Sequence, residues 1–421
     1  MPSSRPTEQV VDHLFRHESG RIIAVLSRII GIDRLDLVED SVQEALLKAL
    51  KTWPFSGIPA NPPAWIMQVA RNRAIDRLRR ERTEFDKQDE VRSFLGSGVT
   101  EMTEPVSADE IEDDQLRMMF ACCHPSIPRE AQTALILRTL CGFGPAEIAR
   151  AFLTHQEAIS KRLVRAKQHL RGAYSPDEIL QGDPNPDRLD TVLSALYLLF
   201  NEGYNASSGP AHVRHELCEE ALRLTGILAR HPAGDRPETH GLLALMLFHG
   251  SRLGSRTDAG GQLLLLKDQD RTQWDTGMIS AGFRALDRSG EGTEISRYQI
   301  EAGIAACHCI APTYEETNWE RILFLYDLLI RINDTPVVRL NRAVALFHVR
   351  GLDEALAEVD VIRTDAKLEE YYLLHAVLGE FYTLAGRNRE AALSYRKALE
   401  LTNVETEREL LSRRMQDVSP L

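Results

Sequence analysis

The residues best suited to bind a charged ligand lie in the segment AWIMQVARNRAIDRLRRE, residues 64–81. Apolar residues recur there at spacings of three and four, which predicts one amphipathic helix that buries Met67, Ala70, Ala74 and Leu78. The opposite face is rich in arginine and suits a phosphate backbone, although a solvated surface helix is the plainer alternative. Trp65 adds an aromatic surface on which a base can stack. The candidate nucleic-acid contacts are Trp65, Arg71, Asn72, Arg73, Asp76, Arg77, Arg79 and Arg80.

This segment resembles the promoter-reading helix of bacterial sigma factors of the extracytoplasmic-function (ECF) type. That family shows an aromatic-led helix that ends in the pattern A-R-N-x-x-x-D-x-x-R-R. Every element is present, as Ala70, Arg71, Asn72, Asp76, Arg79 and Arg80. The resemblance implies a sigma factor, which is a transcription-initiation subunit and not an enzyme. It implies core RNA polymerase and promoter DNA as partners, and no cofactor.

The element before it is LVEDSVQEALLKALKTW, residues 37–53, whose spacing predicts a second amphipathic helix that buries Val42, Ala45, Leu46 and Ala49. It resembles the acidic helix with which these factors bind core RNA polymerase. Taken alone, the pattern is also typical of a solvated surface helix. The candidate polymerase-binding residues are Asp40, Gln43, Glu44, Leu47 and Lys48.

Four prolines and a glycine in PFSGIPANPP, residues 54–63, predict a loop between the two helices. In the family, this loop and the helix after it read the melted downstream promoter element. A base taken out of the stack needs aromatic or apolar walls to hold it, and Trp53, Phe55 and Trp65 are the candidates. An ordinary core position is at least as good an interpretation for Trp53.

A second basic helix is predicted within residues 129–171. A first helix ends at Gly142-Phe143-Gly144, Pro145 starts a short one, and a third follows the turn 153–155, which makes a helix-turn-helix. The segment resembles the sigma domain that reads the upstream promoter element, except that Leu153 stands where that family usually has glycine. The third helix is predicted to bury Ile159, Leu163, Ala166 and Leu170. Its candidate DNA contacts are Gln156, Glu157, Ser160, Lys161, Arg162 and Arg165, and Lys167 is also predicted to face outward.

The charge distribution supports several domains in the 421 residues. The net charge is −12, yet residues 1–172 hold 24 basic and 24 acidic side chains, so the excess acidity lies entirely in the C-terminal part. Seven acidic residues and no basic one lie between Glu101 and Asp114. With Gly96, Gly98 and Pro105 nearby, residues 93–113 are predicted to be a flexible acidic linker, either a plain spacer or a nucleic-acid mimic.

Helical periodicity continues through residues 173–421, where a minimal ECF factor would already have ended. The segment 375–401 matches a tetratricopeptide repeat, with 340–360 as a degenerate earlier copy. Repeat units cannot bury their faces alone, so the region is predicted to be a helical-repeat domain. The layout resembles the ECF subfamily with a long C-terminal tetratricopeptide extension. The resemblance implies that this domain controls the factor from within the same chain or offers a surface for a protein or peptide partner. The alternative is that the domain merely rigidifies the factor. Asn201, Glu202 and Tyr204 are candidate ligand positions, or else a helix C-cap and a buried tyrosine.

Other functions find little support. MPSSRPTEQV lacks the apolar core of a signal peptide, and no apolar run approaches the ~18 residues that span a bilayer, so a cytoplasmic location is expected. Cys122-Cys123-His124 and Cys307-His308-Cys309 are spaced too tightly for the usual zinc ligation, so no metal is expected. A redox role for Cys122 or Cys123 stays open.

The sequence therefore predicts an all-α chain. Residues 1–92 are sigma domain two, 93–113 the linker, 114–172 sigma domain four with the helix-turn-helix, and 173–421 the repeat domain. The predicted function is promoter-specific transcription initiation, modulated by the chain's own C-terminal domain. The alternative is a helix-turn-helix regulator with a repeat scaffold that does not engage polymerase. The helix at 37–53 discriminates, because a plain regulator has no need of it.

Overall fold

The fold confirms the all-α prediction. The computed structural model describes residues 10–11, 14, 18–84, 108–152, 154–173, 186–206, 213–365 and 368–418. Extended pairing within these residues is limited to one β-bridge, between Thr257 and Leu263. The chain divides into two compact units, residues 1–199 and 200–421.

The N-terminal unit is built from seven helices and the first part of an eighth, among the residues described. They are α1 (Ser19–Ile30), α2 (Leu35–Ser56), α3 (Pro62–Glu84), α4 (Ala108–Cys122), α5 (Arg129–Thr139), α6 (Pro145–Ala151), α7 (Gln156–Ala173) and α8 (Pro186–Tyr204). A 3-10 turn, Ile32–Arg34, joins α1 to α2. Helices α2 and α3 pack along each other. Their buried faces include the small residues Ala45, Ala49, Ala70 and Ala74, which allow a close approach of the two backbones.

The loop between α2 and α3 is shorter than the predicted loop at 54–63, and that prediction was wrong at both ends. Pro54 lies within the last turn of α2, where it removes only one backbone donor. Gly57, at φ +82°, takes the left-handed conformation that ends α2. Pro62 begins α3, a position where a missing amide hydrogen costs nothing. Only residues 57–61 form the connection.

Helices α5, α6 and α7 form the predicted helix-turn-helix. Gly142 adopts φ +68° after α5. The Gly144 amide donates to Oε2 of Glu147 at 2.7 Å, and Pro145 begins α6 as predicted. In α7, Ile159, Leu163, Ala166 and Leu170 are buried, which confirms the predicted inner face. Leu153, the departure from the family pattern, lies outside the described residues.

The two predicted sigma domains pack together in this unit. Gly20 on α1 lies so close to the end of α5 that an added Cβ would meet the Leu140 carbonyl oxygen at 2.1 Å. Asp114 of α4 is buried, and its carboxylate lies 2.8 Å from Nε of Arg28 on α1. Burial raises the pKa of Asp114, and the nearby Arg28 and Arg117 offset part of that rise. Helix α4 begins at Ala108, so residues 108–113 of the predicted linker are helical; residues 93–107 lie outside the described residues.

The second compact unit, the C-terminal unit, begins within α8, at residue 200, and the domain boundary at 173 stays a prediction. Its further helices are α9 (His215–Arg230), α10 (Pro237–Gly250), α11 (Thr276–Ser289), α12 (Arg297–Ile310), α13 (Trp319–Ile332), α14 (Pro336–Arg350), α15 (Leu352–Ile362), α16 (Tyr372–Leu384), α17 (Asn388–Leu401) and α18 (Glu405–Val418). The first part of α8 belongs to the N-terminal unit, where Asp190 pairs with Arg129 of α5.

Helices α16 and α17 pack closely where Gly379 of α16 faces the large ring of Tyr395 on α17. An added Cβ on Gly379 would lie 2.5 Å from the Tyr395 ring, so glycine is required for this contact. Gly386 takes φ +68° in the turn between the two helices, and Gly351 takes φ +91° between α14 and α15. Ala355 and Ala391 are both fully buried in these paired helices. The two helix pairs therefore share a glycine turn and a buried alanine, 36 residues apart in the chain, and the tetratricopeptide assignment stays a prediction.

Candidate nucleic-acid and polymerase interface

Helix α3 presents a polar face to solvent and a small-residue face to α2. Ile66, Ala70 and Ala74 are buried, whereas Met67 and Leu78 are only half-buried at the edge of the stripe. The exposed side chains form the surface that the sequence singled out for DNA. They are Asn72, Arg73, Asp76, Arg79 and Arg80. Trp65 and Arg71 are half-buried.

Arg77 lies between the predicted DNA surface and the predicted polymerase helix. Its Nη1 donates to Oδ2 of Asp40 at 2.9 Å, and its Nη2 donates to Oε1 of Glu44 at 3.0 Å. The hydrogen bond that Arg77 donates to Asp40, together with the charge of Glu44, raises the pKa of Arg77. Arg73 stands 3.8 Å from Glu44. These pairs join α2 to α3, so Arg77 holds the two helices in register. Sequence reasoning missed this role because the partners lie 33 and 37 residues apart.

Helix α2 carries exposed apolar side chains next to its polar ones. Leu47 is 55% exposed and Leu50 is 36% exposed, and Phe55, in the last turn, is 84% exposed. Gln43 and Lys48 are exposed beside them. Large apolar side chains at such positions are typical of a surface that a protein partner covers. The surface formed by Gln43, Leu47, Lys48 and Leu50 is called the α2 surface below.

The three aromatic candidates for holding a base do not share one environment. Trp53 is 2% exposed, so it is a core residue and cannot stack on a base. The Trp53 ring lies edge-on to the Trp65 ring, with 5.3 Å between the ring centroids, and packs against that side chain. Lys48 Nζ lies 6.0 Å from the Trp65 ring centroid. Phe55 and Trp65 therefore remain the candidates, and the interpretation of Trp53 as a core residue is confirmed.

Helix α7 exposes the first half of the predicted recognition surface. Gln156, Glu157, Lys161 and Arg165 are exposed. Ser160 is half-buried, and its Oγ donates to the Gln156 carbonyl at 3.0 Å. Arg162 is also half-buried, and its Nη2 lies 3.0 Å from Glu130 of α5. Two of the six predicted contacts thus already have partners within the unit.

The second half of α7 is held on the start of α2, which the sequence did not predict. Lys167 Nζ lies 2.6 Å from Glu39 and 3.0 Å from Asp36, and Arg171 Nη2 lies 2.6 Å from Asp36. We call these four residues the α2–α7 contact. The prediction that Lys167 faces outward was wrong, because only 15% of its side chain is exposed. Its partners lie 128 and 131 residues away in the chain, beyond the reach of helical periodicity.

The pKa values in the α2–α7 contact reflect paired charges. Burial alone raises the pKa of Asp36, but hydrogen bonds and charges from Lys167 and Arg171 outweigh it and hold the value below the usual range. Burial alone lowers the pKa of Lys167, and the carboxylates of Glu39 and Asp36 outweigh it, so the value is raised. Both groups therefore remain charged around neutral pH.

The cysteines have the environment of core residues. Burial raises the pKa of Cys122 to about 12 and raises that of Cys123 as well, so both remain protonated thiols with little reactivity. Among the described residues, no group of three or more His, Cys, Asp or Glu side chains could hold a metal ion. None of the helices in those residues combines the length and the apolar character that a bilayer crossing requires.

Comparison with known proteins assigns both halves of the N-terminal unit. Residues 14–84 match Sigma-70 region 2, and residues 117–170 match Sigma-70, region 4. Residues 188–290 match a family of unknown function, DUF6596. A protein of Rhizobium meliloti (strain 1021), described as uncharacterized, is 40% identical over 369 residues, which cover 87% of this chain and 86% of the relative. No solved structure matches the chain.

Proposed function

Because this chain belongs to the sigma-70 family, whose members bind core RNA polymerase and promoter DNA to direct transcription initiation, we propose that it is a sigma factor of the ECF type. In this proposal the α2 surface binds the polymerase, and α3 and α7 read the two promoter elements. The C-terminal unit, with its tetratricopeptide-like helix pairs, modulates initiation. The observation that carries the proposal is the rigid α2–α3 pair, which exposes an apolar surface on one helix and arginines on the other.

Polymerase binding by the α2 surface is supported by its exposed leucines. Leu47 and Leu50 expose apolar area on a helix whose other face is buried in the unit. Gln43 and Lys48 supply polar groups at the rim of that area. Interfaces are typically built in this way, with an apolar centre and a polar edge. Asp40 and Glu44 act more indirectly, because both are engaged by Arg77.

Promoter reading by α3 and α7 is supported by the exposed residues of both helices. On α3, Arg79 and Arg80 are exposed to solvent, where they can approach the backbone of a melted strand. On α7, Lys161 and Arg165 project from a helix-turn-helix. The α2–α7 contact keeps the second half of α7 engaged within the chain, and the C-terminal part carries the excess acidity. Free protein is therefore expected to bind duplex DNA weakly.

A positive role for the C-terminal unit is supported by its regular construction. Paired helices with glycine turns and small-against-large packing continue through the last two helix pairs. If the unit served only to shield the basic helices from DNA by its negative charge, an acidic tail would be sufficient. We infer that the unit helps to assemble the active factor. A chain cut after Ala206, which keeps all of α8, is expected to transcribe weakly, and markedly higher activity than the full chain would indicate autoinhibition instead.

The proposal is tested by retention of core RNA polymerase on the immobilised full chain, followed by run-off transcription. Promoters are first recovered by transcribing fragmented genomic DNA with the reconstituted holoenzyme and sequencing the transcripts. Stable retention and discrete transcript starts are the expected result. DNA binding with neither polymerase retention nor transcription would instead support the helix-turn-helix regulator that does not engage polymerase.

A further inference from the structure

An arginine-rich cluster lies in the C-terminal unit where several helices end. Arg252 and Arg256 follow the end of α10, and Arg271 lies on a 3-10 turn, Arg271–Gln273. Tyr204 is the last residue of α8, and its ring lies against both Arg252 and Arg256. The cluster has no part in the proposed promoter or polymerase contacts.

Two of these arginines are fixed by backbone carbonyl groups. The Arg256 Nη1 donates to the Tyr204 carbonyl, and its guanidinium lies 3.8 Å from the Tyr204 ring centroid. The Arg271 Nη1 donates to the carbonyl of His308 at 2.5 Å and to that of Ala311 at 2.7 Å. Both side chains therefore satisfy carbonyl groups at helix C-termini, where positive charge is favourable.

Arg252 differs from them because no carbonyl group holds it. Its Nη2 lies 3.1 Å from Nδ1 of His249, and its guanidinium lies 5.5 Å from the Tyr204 ring centroid. Within the described part of the chain, no carboxylate forms an ion pair with Arg252. One guanidinium edge contacts the imidazole, which leaves the remaining N–H donors of a planar fork for another acceptor.

The histidines beside Arg252 are neutral. Burial, reinforced by Arg252 and Arg256, holds the pKa of His249 well below its usual range, and burial with Arg252 and Arg271 lowers that of His308 to about 3. Both side chains keep part of their surface accessible. The Nδ1 atom of His308 is buried and has no hydrogen-bond partner among the described residues.

The three arginines lie close enough to repel one another, and burial adds to the cost of that repulsion. Burial lowers the pKa of Arg256 and of Arg271, and repulsion from Arg252 lowers both further. The carboxylate of Glu315 lies near enough to Arg271 to offset part of this effect. Desolvated like charges are costly unless an opposite charge joins them. An anion bound beside Arg252 would supply such a charge.

We propose that Arg252, flanked by the fixed Arg256 and Arg271, binds the oxyanion group of a small molecule, a phosphate or a carboxylate, beside Tyr204 and His249. The planar guanidinium offers two parallel N–H donors to such a group, and the two carbonyl-held arginines supply positive potential without having to move. The aromatic ring of Tyr204 forms one wall. This site goes beyond the proposed transcription function and would give the C-terminal unit a ligand to sense.

Isothermal titration calorimetry on the full chain tests the site with inorganic phosphate and, separately, with citrate, at ionic strength matched with sodium chloride. Saturable binding of at least one probe with a Kd below about 1 mM is expected. R252Q should weaken that binding at least about tenfold, because it removes the charge and the fork together. R252K should weaken it less, since it keeps the charge. R350Q is the matched control, an exposed arginine paired with Glu354, and should bind as the wild type does.

The two probes distinguish a phosphate ligand from a carboxylate ligand. Absence of saturable binding of either probe up to about 10 mM overturns the proposal. Binding by R252Q equal to that of the wild type also overturns it and leaves Arg252 a purely structural residue. If circular dichroism shows that R252Q does not fold, the affinity of R252K for the probe is the deciding measurement. An affinity of R252K equal to that of the wild type then contradicts recognition by the two parallel N–H donors of a guanidinium. None of these outcomes depends on transcription.

Discussion

Helices α3 and α7 have similar sequences and different surroundings. Each is a basic amphipathic helix with one buried face, and each sends cations to carboxylates on α2. From α3, Arg77 reaches Asp40 and Glu44 in the next helix of the same small domain. From α7, Lys167 reaches Asp36 and Glu39 across more than 120 residues of chain. The first half of one acidic helix thus anchors both candidate DNA-reading helices, α7 through Asp36 and Glu39 and α3 through Asp40 and Glu44.

This difference indicates which contact can open. The α2–α3 pairs lie beside a continuous buried seam of small residues, so they belong to the folded domain. The α2–α7 contact lies between segments that the sequence places in separate sigma domains, joined by residues 93–113. Under the proposed function, in which each domain reads its own promoter element, the α2–α7 contact is the one that we expect polymerase binding to release.

The largest expected effect comes from the α2 surface. L47D places a charge at the centre of an apolar interface and should reduce polymerase retention about 30-fold or more, as the loss of an interface hot spot does. L393D is the control, because both leucines are 55% exposed and Leu393 lies in the C-terminal unit. Equal retention of polymerase by L47D and L393D would contradict the assignment. Charge reversal at Asp40 or Glu44 is less decisive, because it also breaks the pairs with Arg77.

The next effect separates promoter reading from polymerase binding. R79A together with R80A should lower run-off transcription about tenfold, because two phosphate or base contacts are lost, and should leave polymerase retention unchanged. R350A together with R363A removes two exposed arginines of the C-terminal unit as a control. Loss of polymerase retention in the R79A/R80A chain would remove the distinction between α2 and α3.

An intermediate effect is expected at the α2–α7 contact. K167A leaves Glu39 buried without its cation, which should weaken the contact by about 3 kcal/mol. Amide hydrogen exchange should then accelerate in the second half of α7 and at the start of α2, and free protein should bind duplex DNA more tightly. K397A is the control, since Lys397 pairs with Glu400 at an exposed site. Unchanged exchange in K167A would show that apolar packing, and not these charges, holds α7.

The smallest effect concerns pH. The pKa of Asp36 is depressed in the folded protein. Its contribution to the stability of the α2–α7 contact is therefore present above the pKa of the unfolded chain, about 3.9, and is lost as pH falls through the lower pKa of the folded state. The pKa of Lys167 is raised in the folded protein. Its contribution to the stability of the contact is therefore present below the pKa of the unfolded chain, about 10.4, and is lost as pH rises through the higher pKa of the folded state. Exchange protection of the α2–α7 contact, corrected for intrinsic rates, should therefore be constant between about pH 5 and 9. A transition near neutral pH would point to another titrating group.

Local patterns in the sequence determined the helices and their inner faces. The spacing of Ile159, Leu163, Ala166 and Leu170 predicted the buried side of α7, and Pro145 predicted where α6 begins. These features depend on residues three or four positions apart, which helical geometry alone places together. The loop at 54–63 was the local failure, because Pro54 and Pro62 are compatible with the last and first turns of helices.

Only the tertiary structure decided which cations are free for a partner. Arg77, Arg162 and Lys167 follow the same pattern as Arg80, Lys161 and Arg165, yet the first three are engaged by carboxylates within the unit. The cluster around Arg252 likewise joins residues of α8, α10 and α12 with a 3-10 turn, and no repeat or motif connects them. Ion pairs of this kind depend on how helices pack, and packing brings together residues whose separation in the chain carries no periodic signal. The sequence therefore determined which residues carry charge, and the fold determined which of those charges are already paired.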